Sequence, residues 1–211
     1  ILCCHLPMNM LECTCFYFST NAAVPQQVLE MEELRALTTI GIICEYDPFH
    51  RGHAHQFAEI RRIFPDAAIV CLMSGCFTQR GLPALFSPSV RAAAALENGA
   101  DLVLELPTAF AVRDAEHFAL GGVSILERLG FVDYLSFGTE DELSVLKPAA
   151  ELLEEPDEAF QSRLRSYLAA GLSHAASQGK TLEERFPEAK EAFHRPNNIL
   201  ALCYLRALRR L

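Results

Sequence analysis

His50 and His53 stand three positions apart around Gly52, in a turn that follows the apolar run Gly41-Ile42-Ile43-Cys44 and precedes residues 54–64. In that stretch Phe57, Ile60, Ile63 and Phe64 recur at helical spacing, so the two imidazoles fall at or just before the first turn of a helix. The first backbone N–H groups of a helix have no partner inside it, and the aligned peptide dipoles add partial positive charge there, so a polyphosphate is drawn to that point. Imidazoles at the same end donate hydrogen bonds to phosphate oxygens and stabilise charge as pyrophosphate leaves. Gly52, having no side chain, lets a flat base or ribose approach the backbone. The chemistry this spacing suits is ATP binding.

An H-x-G-H tetrapeptide is also a pattern of ordinary surface or capping histidines. Its place after an apolar run tells for a ligand, because open α/β sheets bind ligands beyond the carboxyl ends of their strands. A zinc site built from His50, His53 and His55 fits less well: positions i, i+3 and i+5 do not share one helix face, and no Glu or Cys stands at ligand spacing. No metal site is expected from these residues.

The elements that must position this turn repeat one pattern from residue 39 onward, an apolar run followed by a helix-like segment. The runs are residues 40–44, 67–73, 102–106 and 134–137. Their spacing of about thirty residues fits successive βα units and a Rossmann-like parallel sheet with helices on its faces, an α/β fold. Ser87-Pro88 suits the start of a helix through Leu96, with Asn98-Gly99 ending it, and a second helix covers residues 114–128 and closes at Gly130. Past Gly138 the chain reads as an acidic amphipathic helix through Gly171, then a Ser/Gly/Lys-containing connection, then a helix over 197–211. That last helix places Ile199, Leu202, Leu205 and Leu208 on one face, with Arg206, Arg209 and Arg210 at the end the dipole favours for cations. The expected organisation is an upstream extension at 1–38, a Rossmann-like core at 39–145 and a helical segment at 146–211.

The 211 residues carry a formal charge of −9, which argues against general nucleic-acid affinity from bulk electrostatics while leaving a local basic groove open. No stretch is long and apolar enough to span a bilayer, and the chain reads as soluble and cytoplasmic. The first forty residues differ in character from the rest. Cys3, Cys4, Cys13 and Cys15 cluster without periodicity, their spacing suits a zinc knuckle poorly, and the opening lacks the basic region of a secretory signal. Residues 1–38 are expected to be upstream sequence or disordered, with Met31 a plausible start. Cys44, Cys71, Cys76 and Cys203 lie in or beside apolar runs and are expected to be buried, reduced thiols.

Six blocks in order sharpen this reading: EYDPFHRGH at 45–53, MSGCFTQRGLPALF at 73–86, ALENGADLVLELP at 95–107, AEHFALGGV at 115–123, SFGTE at 136–140 and RPNNILALCYLRAL at 195–208. Together they resemble the bacterial tRNA(Met) cytidine acetate ligase family, within the H-x-G-H nucleotidyltransferase superfamily. The resemblance implies an ATP-dependent ligase that activates acetate as acetyl-adenylate, with Mg²⁺ accompanying ATP, and acetylates N4 of the wobble cytidine of elongator tRNA(Met). Carried over by position, the ATP-binding stretch is Ile43, Cys44, Glu45, Tyr46, Asp47, Pro48, Phe49, His50, Arg51, Gly52, His53, Ala54, His55 and Gln56, joined by Gly138 and Asn197. His50 and His53 are the catalytic pair. Gly138 is otherwise a turn glycine, and Asn197 otherwise a helix cap after Pro196.

The family usually reads E-Y-N-P-F-H-N-G-H where this chain has Asp47 and Arg51. Arg51 adds a possible phosphate contact; Asp47 adds negative charge near a polyanion unless it meets metal or a cation. Arg80, after a strand end, is expected to contact substrate, with a structural ion pair to Glu105 or Asp101 as the alternative. Glu116 and His117 form an acid–base pair on paper or a solvated helix face. Family members continue well past Leu211, so the chain reads as a fragment that lacks a further ATP-contacting arginine and much of the tRNA-binding surface. The alternatives are an adenylyltransferase of the same superfamily and an inactive truncated nucleotide- or RNA-binding fragment.

Overall fold

A computed structural model of the chain describes residues 37–211 in full and, upstream of them, only the strands β1 (Leu2–His5) and β2 (Phe16–Tyr17). The rest of the expected extension at 1–38, with Met31, Cys13 and Cys15, lies outside the described residues. Four parallel strands form the centre of the sheet: β3 (Thr39–Cys44), β4 (Ala68–Ser74), β5 (Leu102–Leu106) and β6 (Tyr134–Phe137). The order across the sheet is β1-β6-β3-β4-β5-β2, with β1 antiparallel to β6 and β2 antiparallel to β5. The four apolar runs read from the sequence are these four parallel strands.

The strands read as unbroken apolar runs because both faces of the sheet are covered. Ile40, Ile42 and Cys44 pack with Phe57 and Ile60 of α1 (Arg51–Ile63) and with Ala92 and Ala95 of α2 (Pro88–Glu97). The alternate residues Gly41 and Ile43 face the other way. There a Cβ on Gly41 would stand 2.8 Å from a Leu126 methyl, and one on Gly122 would stand 2.6 Å from Ile43 Cδ1, so α4 (Ala115–Arg128) lies close against β3 through two glycines. A short helix α3 (Thr108–Ala111) precedes it.

The chain steps from β3 to β4 to β5 in one direction, and β6 then returns to the other flank of β3. The carboxyl end of β3 is therefore the topological switch point, where open α/β sheets leave a crevice. The turn holding His50 and His53 begins there.

Two compact units divide the chain, residues 1–137 with Leu211 and residues 138–210. The second is helical: α5 (Leu143–Glu154), α6 (Glu158–Ala169), α7 (His174–Arg185), a 3₁₀ helix at Pro187–His194 and α8 (Pro196–Arg210). It departs from expectation in three places. The acidic helix expected through Gly171 is two helices, because Pro156 cannot continue α5 and Asp157 caps α6 by accepting a 2.7 Å hydrogen bond from Phe160 N. The expected connection is helix α7: Ser173 caps it by accepting from Ala176 N at 3.3 Å, and it buries Ser177, Thr181 and Leu182 on one face, a stripe too polar to read as periodic. In α8 the buried face includes Asn198, Ala201, Leu202 and Leu205, while Ile199 is 41% exposed. No helix among the described residues is long and apolar enough to cross a membrane.

Arg206 and Arg210 both donate to the Glu154 carboxylate, at 2.6 Å and 2.7 Å, and tie α8 to α5. Burial alone would raise Glu154, but these hydrogen bonds outweigh it and hold the carboxyl below its usual range. Arg209 pairs with Glu151 at 3.1 Å. The terminal arginines thus hold helices together rather than forming a free basic tract. Cys44 and Cys71 are buried as expected, whereas Cys76 is exposed on the loop after β4 and Cys203 is half-buried.

Candidate functional site

The turn after β3 is built around an unusual helix cap. His50 is the N-cap of α1, and its Nδ1 accepts a hydrogen bond from Gly52 N at 3.1 Å; His53, in the third helical position, returns the bond by accepting from His50 N at 3.2 Å. This is a capping box made with imidazoles in place of hydroxyl and carboxylate. The rings stack, with centroids 3.7 Å apart and planes 19° off parallel. Because each Nδ1 accepts, each ring proton sits on Nε2, and the pair offers two N–H donors at a helix N-terminus. Burial and, secondarily, the neighbouring His50 push His53 down to about 4, so it is neutral near pH 7.

Gly52 owes its identity to the same cap. A Cβ there would meet His50 Cε1 at 2.9 Å, so the space left by the missing side chain is occupied by the His50 ring.

Behind the histidines stands an aromatic wall. Tyr46 is buried with a backbone φ of 51°, in the left-handed region that non-glycine residues seldom enter, and its ring lies 4.7 Å from that of His53 and 5.0 Å from that of Phe49. Its hydroxyl hydrogen-bonds with Cys71 Sγ at 3.4 Å, and burial raises both the Tyr46 phenol and the Cys44 thiol far enough to keep them un-ionised. Of these groups, the Tyr46 ring packs directly against His53. Gln56, lower on α1, donates to the Ser136 carbonyl and hydroxyl at 3.3 Å and 3.2 Å, which ties the helix to the carboxyl end of β6.

One departure from the family pattern, Asp47, has a structural role. The Asp47 carboxylate accepts from Leu85 N at 2.8 Å and from Phe86 N at 3.3 Å. Glu45 accepts from Gln79 N, and its carbonyl accepts from the Arg91 guanidinium. Arg91, only 1% exposed, also donates to the carbonyls of Gly75 and Phe86. Two carboxylates and one buried cation thus clamp the β3–α1 turn to the loop after β4. Neither role is legible in the sequence, because the partners of Arg91 and Glu45 are backbone groups 46 and 34 residues away.

Arg51, His55 and Pro48 are exposed, and Ala54 and Ile43 are half-buried. Arg80 is exposed and has no ion-pair partner among the described residues; Asp101 is engaged by Arg61 at 2.8 Å and by Ile69 N at 2.7 Å, and Glu105 lies against Gly75. The alternative structural pair to Arg80 is therefore not formed. His117 bonds Asp114, the cap of α4, at 2.8 Å and so acts as a capping partner.

Gly138 and Asn197 belong to the second unit. Gly138 is exposed, and a Cβ on it would meet nothing within 4 Å. Asn197 is exposed in the first turn of α8, while its neighbour Asn198 is buried and structural, with its side chain accepting from Glu140 N at 2.9 Å and donating to Asp141 at 2.6 Å. Also in this unit, a cleft of about 380 Å³ is lined by Pro148, Leu152, Phe186, Arg185 and Arg209 among others, and it contains none of the residues expected to do chemistry. Among the described residues no three His, Cys, Asp or Glu side chains are grouped to hold a metal.

A family model of the HIGH nucleotidyl transferases matches residues 37–211. The tRNA(Met) cytidine acetate ligase of Halothermothrix orenii is 39% identical, over 83% of this chain and 44% of its own length. The enzyme of that name from Syntrophotalea carbinolica is 43% identical, over 82% of this chain and 42% of its own length. Among solved structures, Thermotoga maritima TmcAL bound with alpha-thio ATP superimposes with a TM-score of 0.78 at 32% identity, covering 82% of this chain and 44% of that one. The chain spans less than half the length of these relatives.

Proposed function

The chain belongs to the HIGH nucleotidyl transferase family, and from that premise we propose that it carries the adenylate-forming site of a tRNA(Met) cytidine acetate ligase. The observation that carries the proposal is the reciprocal imidazole cap at the switch point of the sheet, which leaves two Nε2–H donors at a helix N-terminus, where the dipole favours phosphate. Support comes from relatives of that name at about 40% identity and from a structural neighbour described with an ATP analogue.

In this reading residues 43–56, with Gly138 and Asn197, bind ATP. A carboxylate oxygen of acetate attacks the α-phosphorus; the bond to the β-phosphate oxygen breaks, giving acetyl-adenylate and pyrophosphate. His50 and His53 donate to oxygens that gain charge as pyrophosphate departs, and no covalent protein nucleophile is needed. N4 of the wobble cytidine then attacks the acyl carbon, AMP leaves, and the amine loses its proton to solvent. Mg²⁺ would arrive with ATP and neutralise phosphate charge.

The test uses this chain extended through the region its relatives carry beyond this span, with ATP, labelled acetate and elongator tRNA(Met). Label is expected on N4 of the wobble cytidine, and His50→Ala and His53→Ala should each slow its appearance on the order of 10²-fold or more. Adenylyl transfer to a mononucleotide or phosphopantetheine, with no acetylation of RNA, would replace the ligase by the related transferase.

A further inference from the structure

The loop after β4 turns an apolar face to solvent. Leu85 is 70% exposed and Leu82 60%, and both Phe77 and Phe86 are exposed on the same loop. Single exposed apolar residues need no explanation, but several on one loop mark a surface that something covers. This surface is preformed. Thr78 N donates to Leu82 O and Ala84 N to Cys76 O, both at 2.9 Å, around a turn where Gly81 has a φ of 74°. Gln79 N, Leu85 N and Phe86 O are in turn held by Glu45, Asp47 and Arg91. Those anchors begin five residues before His50, so the loop and the histidine turn share one local framework.

The charges around this face point to its occupant. The two carboxylates that would repel a polyanion, Glu45 and Asp47, are already occupied by backbone N–H groups. Arg80 at the loop's tip and Arg51 on α1 are exposed, and among the described residues neither forms an ion pair. Neither Phe77 nor Phe86 packs against another aromatic ring among the described residues. Rigid apolar groups with open aromatic rings, beside unpaired guanidiniums and next to a nucleotide site, suit an unpaired base and its flanking phosphate.

We propose that the exposed face of residues 76–86 is the docking platform for an unpaired nucleoside of an RNA loop, with Phe77 and Phe86 taking the base and Arg80 the adjacent phosphate. This deepens the ligase reading and rests on it: the base docked here is the one that receives the acyl group. The energy of gripping the rest of the RNA is supplied elsewhere.

The test uses the 211-residue chain at low salt, where weak contacts are populated, and a hairpin RNA bearing the elongator methionine anticodon loop with 4-thiouridine at the wobble position. Irradiation should cross-link the thio-base within residues 76–86. The yield should fall roughly tenfold or more in Phe77→Ala and in Arg80→Ala, and with a fully duplexed RNA. Both substitutions are at exposed positions, and an unchanged thermal unfolding midpoint checks that the fold is intact. Cross-links mapping elsewhere, no cross-link above the duplex background, or yields indifferent to both substitutions would overturn the platform. So would sedimentation showing a dimer that Phe77→Ala dissolves, which would assign the face to a second copy of the chain. Binding of ATP, and its loss in His50→Ala, is measured separately: failure there removes the ligase reading while leaving the cross-link map to judge the loop.

Discussion

At the scale of single residues, the site is decided by which ring nitrogen of each histidine is free. His50 and His53 use Nδ1 on each other's end of the helix and keep Nε2–H outward, and Gly52 is small because His50 must fold over it. In Gly52→Ala the new Cβ would meet the His50 ring, so the ring swings out and the cap is lost. The expected result is a clear weakening of ATP binding by calorimetry, with only about 1 kcal/mol or so lost from stability, the worth of one N-cap. Unaltered ATP affinity would mean the His50 orientation is irrelevant to nucleotide. The depressed His53 gives a pH signature. Its ordinary value is 6.5 and its folded value about 4, so between these the unfolded chain binds more protons and acid favours unfolding. Its contribution is complete above pH 6.5 and lost as pH falls to about 4. The unfolding temperature should therefore drop more steeply across that window than in His53→Gln; parallel curves would show that His53 titrates normally. The sequence made both histidines and their helix end legible. It could not reveal the tautomers, because these follow from backbone hydrogen bonds within the turn.

At the scale of elements, the sheet was legible because a strand covered on both faces must be apolar throughout, and four such runs stood out. The clamp between loops was not, since Arg91 spends its charge on three carbonyls and leaves no pattern of opposite charges along the chain. Nor was α7, whose buried stripe is mostly Ser and Thr. Removing Arg91 strands buried acceptors after β3 and β4, and hydrogen bonds to a charged group are the strong ones. Arg91→Met should cost about 3 kcal/mol or more in denaturant unfolding, in the range for breaking a buried charged network. Faster amide hydrogen exchange at Gln79 and Leu85 should accompany it. A loss below about 1 kcal/mol, with exchange unchanged, would show that the carbonyls find other donors.

At the scale of the whole molecule, an acidic chain would need local positive charge to hold a polyanion. The net charge is −9, and Arg206, Arg209 and Arg210, the densest basic group in the sequence, are paired with Glu154 and Glu151. This chain alone should bind tRNA weakly and without anticodon preference in a titration at physiological salt, whereas the extended protein should bind methionine tRNA with strong salt dependence. Tight, anticodon-selective binding by residues 1–211 would place the recognition surface within this span instead. The six ordered sequence blocks made the family legible, but composition alone could not, because the overall charge points away from RNA.

The most direct measurement of the central claim is exchange of labelled pyrophosphate into ATP by the extended protein, since it reads the first chemical step without requiring tRNA. Exchange should depend on acetate and be abolished or slowed on the order of 10²-fold in His50→Ala and His53→Ala. Exchange that proceeds without acetate, or that is driven by a mononucleotide or phosphopantetheine in its place, would contradict it.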